Sequence, residues 1–440
     1  MRTFAASLLF LLFVSVTVAQ TEAEKHVKEG TSQLLKKQYT NAIASFTKAI
    51  ALQPSYADAY YSRGVTYASM SKFDSAVTDY SKAIKLNPQK TEAYINRGSA
   101  YSELKDFSMA IKDYNKAIEL NPRMAESYNN RGYLLSLQNM HPDALKDYDK
   151  AISLNPKYSK AYINKAYSHS VLGDHKASVE ILDKLIAVQP DMASAYFNRA
   201  LEHKELGDTK NALRDYDTGL KLEPDDINIL FQRAELRDAA GDDKGAIEDC
   251  NRIIQLEPDN ARAYYVRAQA KYDLPDYPAV TEDCSRAIQL KSSYWEAYIL
   301  RGNAYDFMNK YEDALKDYNK AVELNPKAIE AYEQRAVARL SKNDVTGALS
   351  DLSKAISIAP NNVQLFEKRA ILRAAIKDTN GAIEDYSQII LLDKSNVKAY
   401  MARAEQLIAN GKLEDACEDY KRAEALGSGG AISKRMYYCK

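Results

Sequence analysis

The sequence predicts an all-α protein of the α-solenoid kind, a tandem stack of antiparallel helix pairs. Three observations predict it: a 34-residue period in the prolines, two stretches of helical apolar spacing inside each period, and small residues at two fixed places within it. Pro54, Pro88, Pro122, Pro156, Pro190, Pro224 and Pro258 lie 34 apart, and Pro326 and Pro360 resume the series. Ser292 and Lys394 occupy the two gaps on the same grid, so the register from Ala23 to Gly430 holds twelve repeats without insertion.

Composition agrees with this class. The chain has 440 residues with 60 Lys+Arg against 60 Asp+Glu, and that balance argues against a nucleic-acid partner, which asks for a basic excess on one face. Sixteen glycines and twelve prolines are few for this length, which disfavours disorder and many-turned β architectures.

From the N-terminus, residues 1–19 (MRTFAASLLFLLFVSVTVA) place Arg2 before an apolar run that ends in small residues at Ala19. This is the layout of a cleavable secretory signal, with Gln20 as the new N-terminus; a retained anchor, which needs about 20 apolar residues, is the alternative. Export, to a periplasmic or secreted location, follows from the first reading. Residues 20–22 form a short linker, and no later apolar stretch is long enough to span a bilayer.

Residues 23–430 carry the repeats. In the specimen 91–124, Tyr94, Gly98 and Tyr101 sit at positions 4, 8 and 11, one face of a helix, and Ala110, Tyr114 and Ala117 sit at positions 20, 24 and 27, one face of a second. Position 8 is Gly in five repeats and Ala in seven; position 20 is Ala in ten, with Ser178 and Val280 as exceptions. Small residues on both sides let two helix axes approach to the lower end of about 8–10 Å.

Positions 7 and 23 vary together. Arg stands at position 7 in ten repeats, from Arg63 to Arg403, and Asp at position 23 in the same ten, from Asp79 to Asp419. The first and fifth repeats lack both, with Glu29/Ser45 and Lys165/Ile181. An ion pair between the two helices of one repeat explains why they are lost together. It is read as a repeated clamp rather than a string of ligand sites.

This repeat resembles the tetratricopeptide repeat, a 34-residue helix–turn–helix with small residues at positions 8 and 20 and Pro near its end. The resemblance covers almost everything after residue 22. It departs mildly, with Tyr as the aromatic of position 4 in nine repeats and Arg at the commonly apolar position 7. It implies a right-handed superhelix whose first helices line a concave groove for a peptide or protein partner. Within that groove, positions 2, 5, 6, 9 and 12 are expected to face inward. Position 5 supplies Tyr61, Ile95, Ile163, Phe197, Phe231, Tyr265 and Ile299; position 6 supplies Asn96, Asn130, Asn164, Asn198 and Gln232. An amide carries both donor and acceptor, so a row of them could grip a peptide backbone; simple solvation of the same amides is the other reading. No repeat has the Lys at position 5 that clamps acidic chaperone tails.

Residues 431–440 read as a capping helix behind Gly427–Ser428–Gly429–Gly430. Cys417 and Cys439 are expected to bridge it to the last repeat in an oxidising compartment, with free thiols as the alternative, and the tail resembles that of exported repeat proteins of Gram-negative bacteria. Cys250 and Cys284, both at position 24, read as buried thiols. His169, His175 and His203 have no ligand set at a recognised spacing, so no metal site and no cofactor are expected. No phosphate loop, HExxH, CxxC or GxSxG occurs, and nothing nominates a nucleophile with its base. The expectation is a non-enzymatic scaffold that binds a peptide or protein; the alternative is a self-associating component of the cell envelope.

Overall fold

The computed structural model of the chain describes residues 20–439. The secretory-signal reading of residues 1–19 lies outside the described residues. Residues 20–22, expected as a linker, are helical and continue into a helix that runs to residue 35.

Every described element is a helix. Second helices of 14 residues open at Tyr39 and then every 34 residues through Thr379, the last, Leu413–Ala425, having 13. First helices of 13 residues open at Ala57 and then every 34 through Val397. The described residues form two compact halves that divide between Pro224 and Asp225, and within each half every helix packs on the next in sequence.

Local chemistry sets the boundaries. In the turn inside each repeat one residue enters the left-handed region, Lys105 at φ 64° and Gly207 at φ 73° for example, which ends the first helix. The next residue is Asp in many repeats, and its side chain caps the second helix: Asp106, Asp174, Asp208, Asp242 and Asp344 each accept the N–H three residues on. Pro142 and Pro278 fall in the first turn of a second helix, where no N–H is needed.

The core is the seam between paired helices. Ala76, Ala110, Ala144 and Ala212 at position 20 are wholly buried, and Tyr80, Tyr148, Tyr216, Tyr318 and Tyr420 at position 24 are the bulkiest fully buried side chains. Small meets large by design: a Cβ added at Gly98 would lie 2.9 Å from the Tyr114 ring, and one at Gly302 would lie 2.6 Å from Tyr318. The five position-8 glycines each face an aromatic ring, so the missing side chain makes room for it.

The last helix, Gly429–Tyr438, starts two residues before the expected Ala431 and is capped by Ser428. Ala431 is buried against Tyr400 and Ala423. Arg435 pairs with Glu424 at 2.7 Å, and Cys417 and Cys439 form a disulfide with Cα atoms 5.7 Å apart.

Candidate protein-binding face

The covarying Arg and Asp meet inside the same repeat in all ten cases. Each pair is bidentate, as Arg131 shows with Nε and Nη2 donating to the two oxygens of Asp147 at 2.8 and 2.6 Å. The aspartates are 1–6 % exposed, so the pairs are buried on the acid side. The arginine pKa values are raised where a shift is resolved; at Arg131 the hydrogen bond to Asp147 is the main cause, with burial opposing it. These residues belong to the framework and are withdrawn from any partner.

Two features of this framework escape the position-7/23 pattern. The third nitrogen of the guanidinium crosses to position 25 of the preceding repeat: Arg63 to Thr47, Arg97 to Ser81, Arg267 to Asn251 and Arg369 to Ser353, all at 2.6–3.0 Å. Lys165, which lacks an in-repeat aspartate, keeps only this crossing, to Asp149 at 2.6 Å. In the C-terminal half a second cation at position 11 shares the aspartate, as Lys271 does with Asp283 and Arg339 with Asp351. The polar residues at position 25 were the available signal for the crossing.

First helices also touch one another in series, from Ala57–Ser69 to Ala193–Glu205 in the N-terminal half. That makes a contiguous layer, and its outward residues are the candidates for contact. The expected lining is narrower than the sequence suggested. Ile95, Phe231 and Ile299 are buried at 2, 6 and 2 % exposure, because position 5 points into the seam with the neighbouring helices. Tyr61, Ile163, Phe197 and Tyr265 are half-buried for the same reason; Tyr61 packs on Tyr80, Phe197 on Tyr216 and Tyr265 on Tyr294.

The amides are half-buried and partly occupied. Asn96 donates to the Tyr61 hydroxyl at 2.9 Å, Asn164 to Asn129 Oδ1 at 3.0 Å and Asn198 to the Ser194 carbonyl at 2.6 Å. Asn130 accepts from Asn129 at 3.2 Å, and Gln232 is half-buried in the C-terminal half. Asn96 and Asn164 thus link a first helix to its predecessor, and each retains an acceptor oxygen for a ligand.

Positions 9 and 13, the latter outside the expected set, carry the exposed apolar groups. Tyr133 and Leu137 on helix Ala125–Leu137 are 46 and 48 % exposed; Tyr167 and Val171 on the adjoining helix Ser159–Val171 are 61 and 50 % exposed. Large side chains that could have been polar are held in solvent beside Asn130 and Asn164. The C-terminal half has its own apolar cleft of about 340 Å³, lined by Val337, Leu340, Ile371 and Ala375 and flanked by the Lys368–Glu333 ion pair.

Other chemistry-bearing residues are accounted for locally. Cys250 and Cys284 are buried free thiols, and burial pushes the Cys250 pKa up to about 12. His175 Nδ1 lies 2.8 Å from the buried Glu202; His169 and His203 lie 3.7 and 3.8 Å from Asp174 and Asp208. Asp238, Asp243 and Asp273 bring carboxylate oxygens within 4.8 Å of one another. Burial, then Asp273 and Asp243, raise the Asp238 pKa to about 6. No described helix is long and apolar enough to cross a membrane.

Among families of known proteins, the tetratricopeptide repeat matches residues 57–90, 91–124, 125–158, 159–192, 197–261 and 295–328, and a TPR repeat matches 34–71. No curated protein matches the chain. Similar solved structures include MamA (26 % identity, 38 % of this chain and 91 % of that one, TM-score 0.35) and yeast Tom70 (17 %, 95 % and 94 %, 0.42). A repeat protein from Parabacteroides merdae is similar over 57 % of this chain and 99 % of its own, at 20 % identity and a TM-score of 0.45.

Proposed function

The chain belongs to the tetratricopeptide repeat family, and from that premise we propose that it is a non-enzymatic scaffold holding a peptide or protein segment against its first helices. The observation that carries this is the exposed quartet Tyr133, Leu137, Tyr167 and Val171 beside the amides of Asn130 and Asn164. Aromatic and aliphatic groups supply contact area with little side-chain entropy to lose, and the amides address the backbone of an extended chain. Export belongs to the same proposal. The apolar run in residues 1–19 and the Cys417–Cys439 disulfide support it, since such a bond persists in an oxidising compartment.

Affinity capture from a native extract of the source cells tests the scaffold. The full chain should retain a partner that the Tyr133→Ser/Tyr167→Ser variant, of unchanged helicity, releases; identical retention by both would overturn this surface. Intact mass of the exported protein tests the address: it should begin at Gln20, and a product retaining Met1 would refute cleavage there.

A further inference from the structure

We propose that a cavity in the C-terminal half, between helices Ala261–Asp273, Trp295–Phe307 and Ile329–Ser341, receives the arginine or lysine side chain of a bound polypeptide. The proposal rests on the scaffold reading above and gives it a chemical preference at one point of the surface.

The cavity measures about 260 Å³, below the roughly 300–1,000 Å³ of sites for drug-sized ligands, so it suits one long side chain. Tyr265, Tyr272 and Trp295 wall it, and aromatic faces attract a cation within about 6 Å of the ring centre. Glu296 and Glu330 add two carboxylates to the same lining. Neither makes an ion pair or hydrogen bond among the described residues, whereas the clamp carboxylates nearby are all paired. Glu330 is exposed at the mouth of the cavity, and partial desolvation, followed by the charge of Glu333, raises its pKa with no cation among the causes. Arg301, on the helix that contributes Glu296, is itself held by Asp317 at 2.7 Å and by Ser285 at 2.9 Å. Asn303, also in the lining, accepts the Tyr318 hydroxyl at 2.8 Å, which leaves its amide N–H groups for a peptide carbonyl. Apolar walls for the stem, aromatic faces and two unpaired acids for the head match a basic side chain and reject an acidic one.

Trp295 is the only tryptophan of the chain, so its fluorescence reports on this cavity alone. Titration of the full chain with acetyl-Gly-Gly-Arg-Gly-Gly-amide should give a saturable change at concentrations on the order of millimolar, lost at high salt. The citrulline peptide, of the same shape without the charge, should give none. Glu296→Gln/Glu330→Gln should weaken the arginine response at least tenfold while far-UV circular dichroism is unchanged. No response to the arginine peptide, an equal response to citrulline, or an unaltered response in the variant would each overturn the proposal. Tighter binding of choline than of the peptide would overturn the polypeptide occupant. A partner that the wild type captures and Tyr133→Ser/Tyr167→Ser releases would leave the scaffold standing even if this cavity stays silent.

Discussion

Arg97 holds both carboxylate oxygens of Asp113, at 2.8 and 2.7 Å, and turns its remaining nitrogen to Ser81 of the preceding repeat at 2.9 Å. One guanidinium therefore fastens three helices. Asp113 is 4 % exposed, so Arg97→Ala strands a buried charge and should cost about 3–5 kcal/mol, well above the roughly 0–1 kcal/mol of a surface bridge. Amide exchange in helices Thr91–Glu103 and Phe107–Leu120 reads this as local opening. A cycle with Asp113→Asn should show coupling above about 1 kcal/mol, and additive effects would remove the clamp from the stability of this repeat.

The contact between Gly98 and Tyr114 makes a second prediction. A Cβ at position 98 would come within 2.9 Å of a ring that has nowhere to go. Gly98→Val should destabilise by about 1–3 kcal/mol, and Tyr114→Leu in the same chain should recover part of the loss. Denaturation midpoints of the two single variants and the double check it; a double variant as weak as the sum of the singles would contradict the packing argument.

Asp238 sets a pH dependence. Its folded pKa of about 6 lies above the ordinary 3.8, with burial as the first cause and Asp273, Asp243 and Glu235 behind it. The fold therefore binds this proton more tightly than the unfolded chain does. Its contribution is fully present below about pH 4 and is lost as the pH rises through about 6. Asp238→Asn should raise the melting temperature at pH 7.5 more than at pH 4.5, and parallel shifts at both would show that the carboxylate is not strained.

Reduction of Cys417–Cys439 opens a loop with a sequence separation of 22, worth about 3 kcal/mol in the chain-entropy account. The effect should stay local, because a repeat contacts only its neighbours. Proteolysis after reduction should begin in helix Gly429–Tyr438, and Cys417→Ser should reproduce it without reductant. Initial cleavage elsewhere would mean that Arg435–Glu424 and the buried Ala431 hold the cap alone.

Much of this molecule can be read from its letters because the fold repeats one decision. Arg at 7, lost whenever Asp at 23 is lost, reports one contact many times over. The small residue at position 8 marks the close approach of the paired helices, although what fills the space is the ring of position 24. The aspartate caps at position 16 emerged only with the structure, although an acid before an amphipathic run is a signal for a helix start. Side-chain direction was harder. Positions 5 and 9 lie on almost the same face of a helix, yet Ile95 turns into the seam and Tyr133 and Tyr167 stand in solvent. Only the angle at which neighbouring helices pack separates them, and a linear pattern does not contain that angle. The cavity around Trp295 was invisible for a related reason: its walls come from three repeats, and its acids sit at position 2, where a charge is ordinarily a solvated helix start.

The crossing from an arginine to the repeat before it bears on how such a chain can change its length. Arg131 reaches back to Asn115 and Arg97 to Ser81, and both acceptors are small, polar and placed alike. Were residues 91–124 excised by a recombination event, Arg131 would meet Ser81 and find an equivalent oxygen. A junction of this kind works as a standard coupling, and lineages can gain or shed whole 34-residue segments without inventing a new fit at the scar.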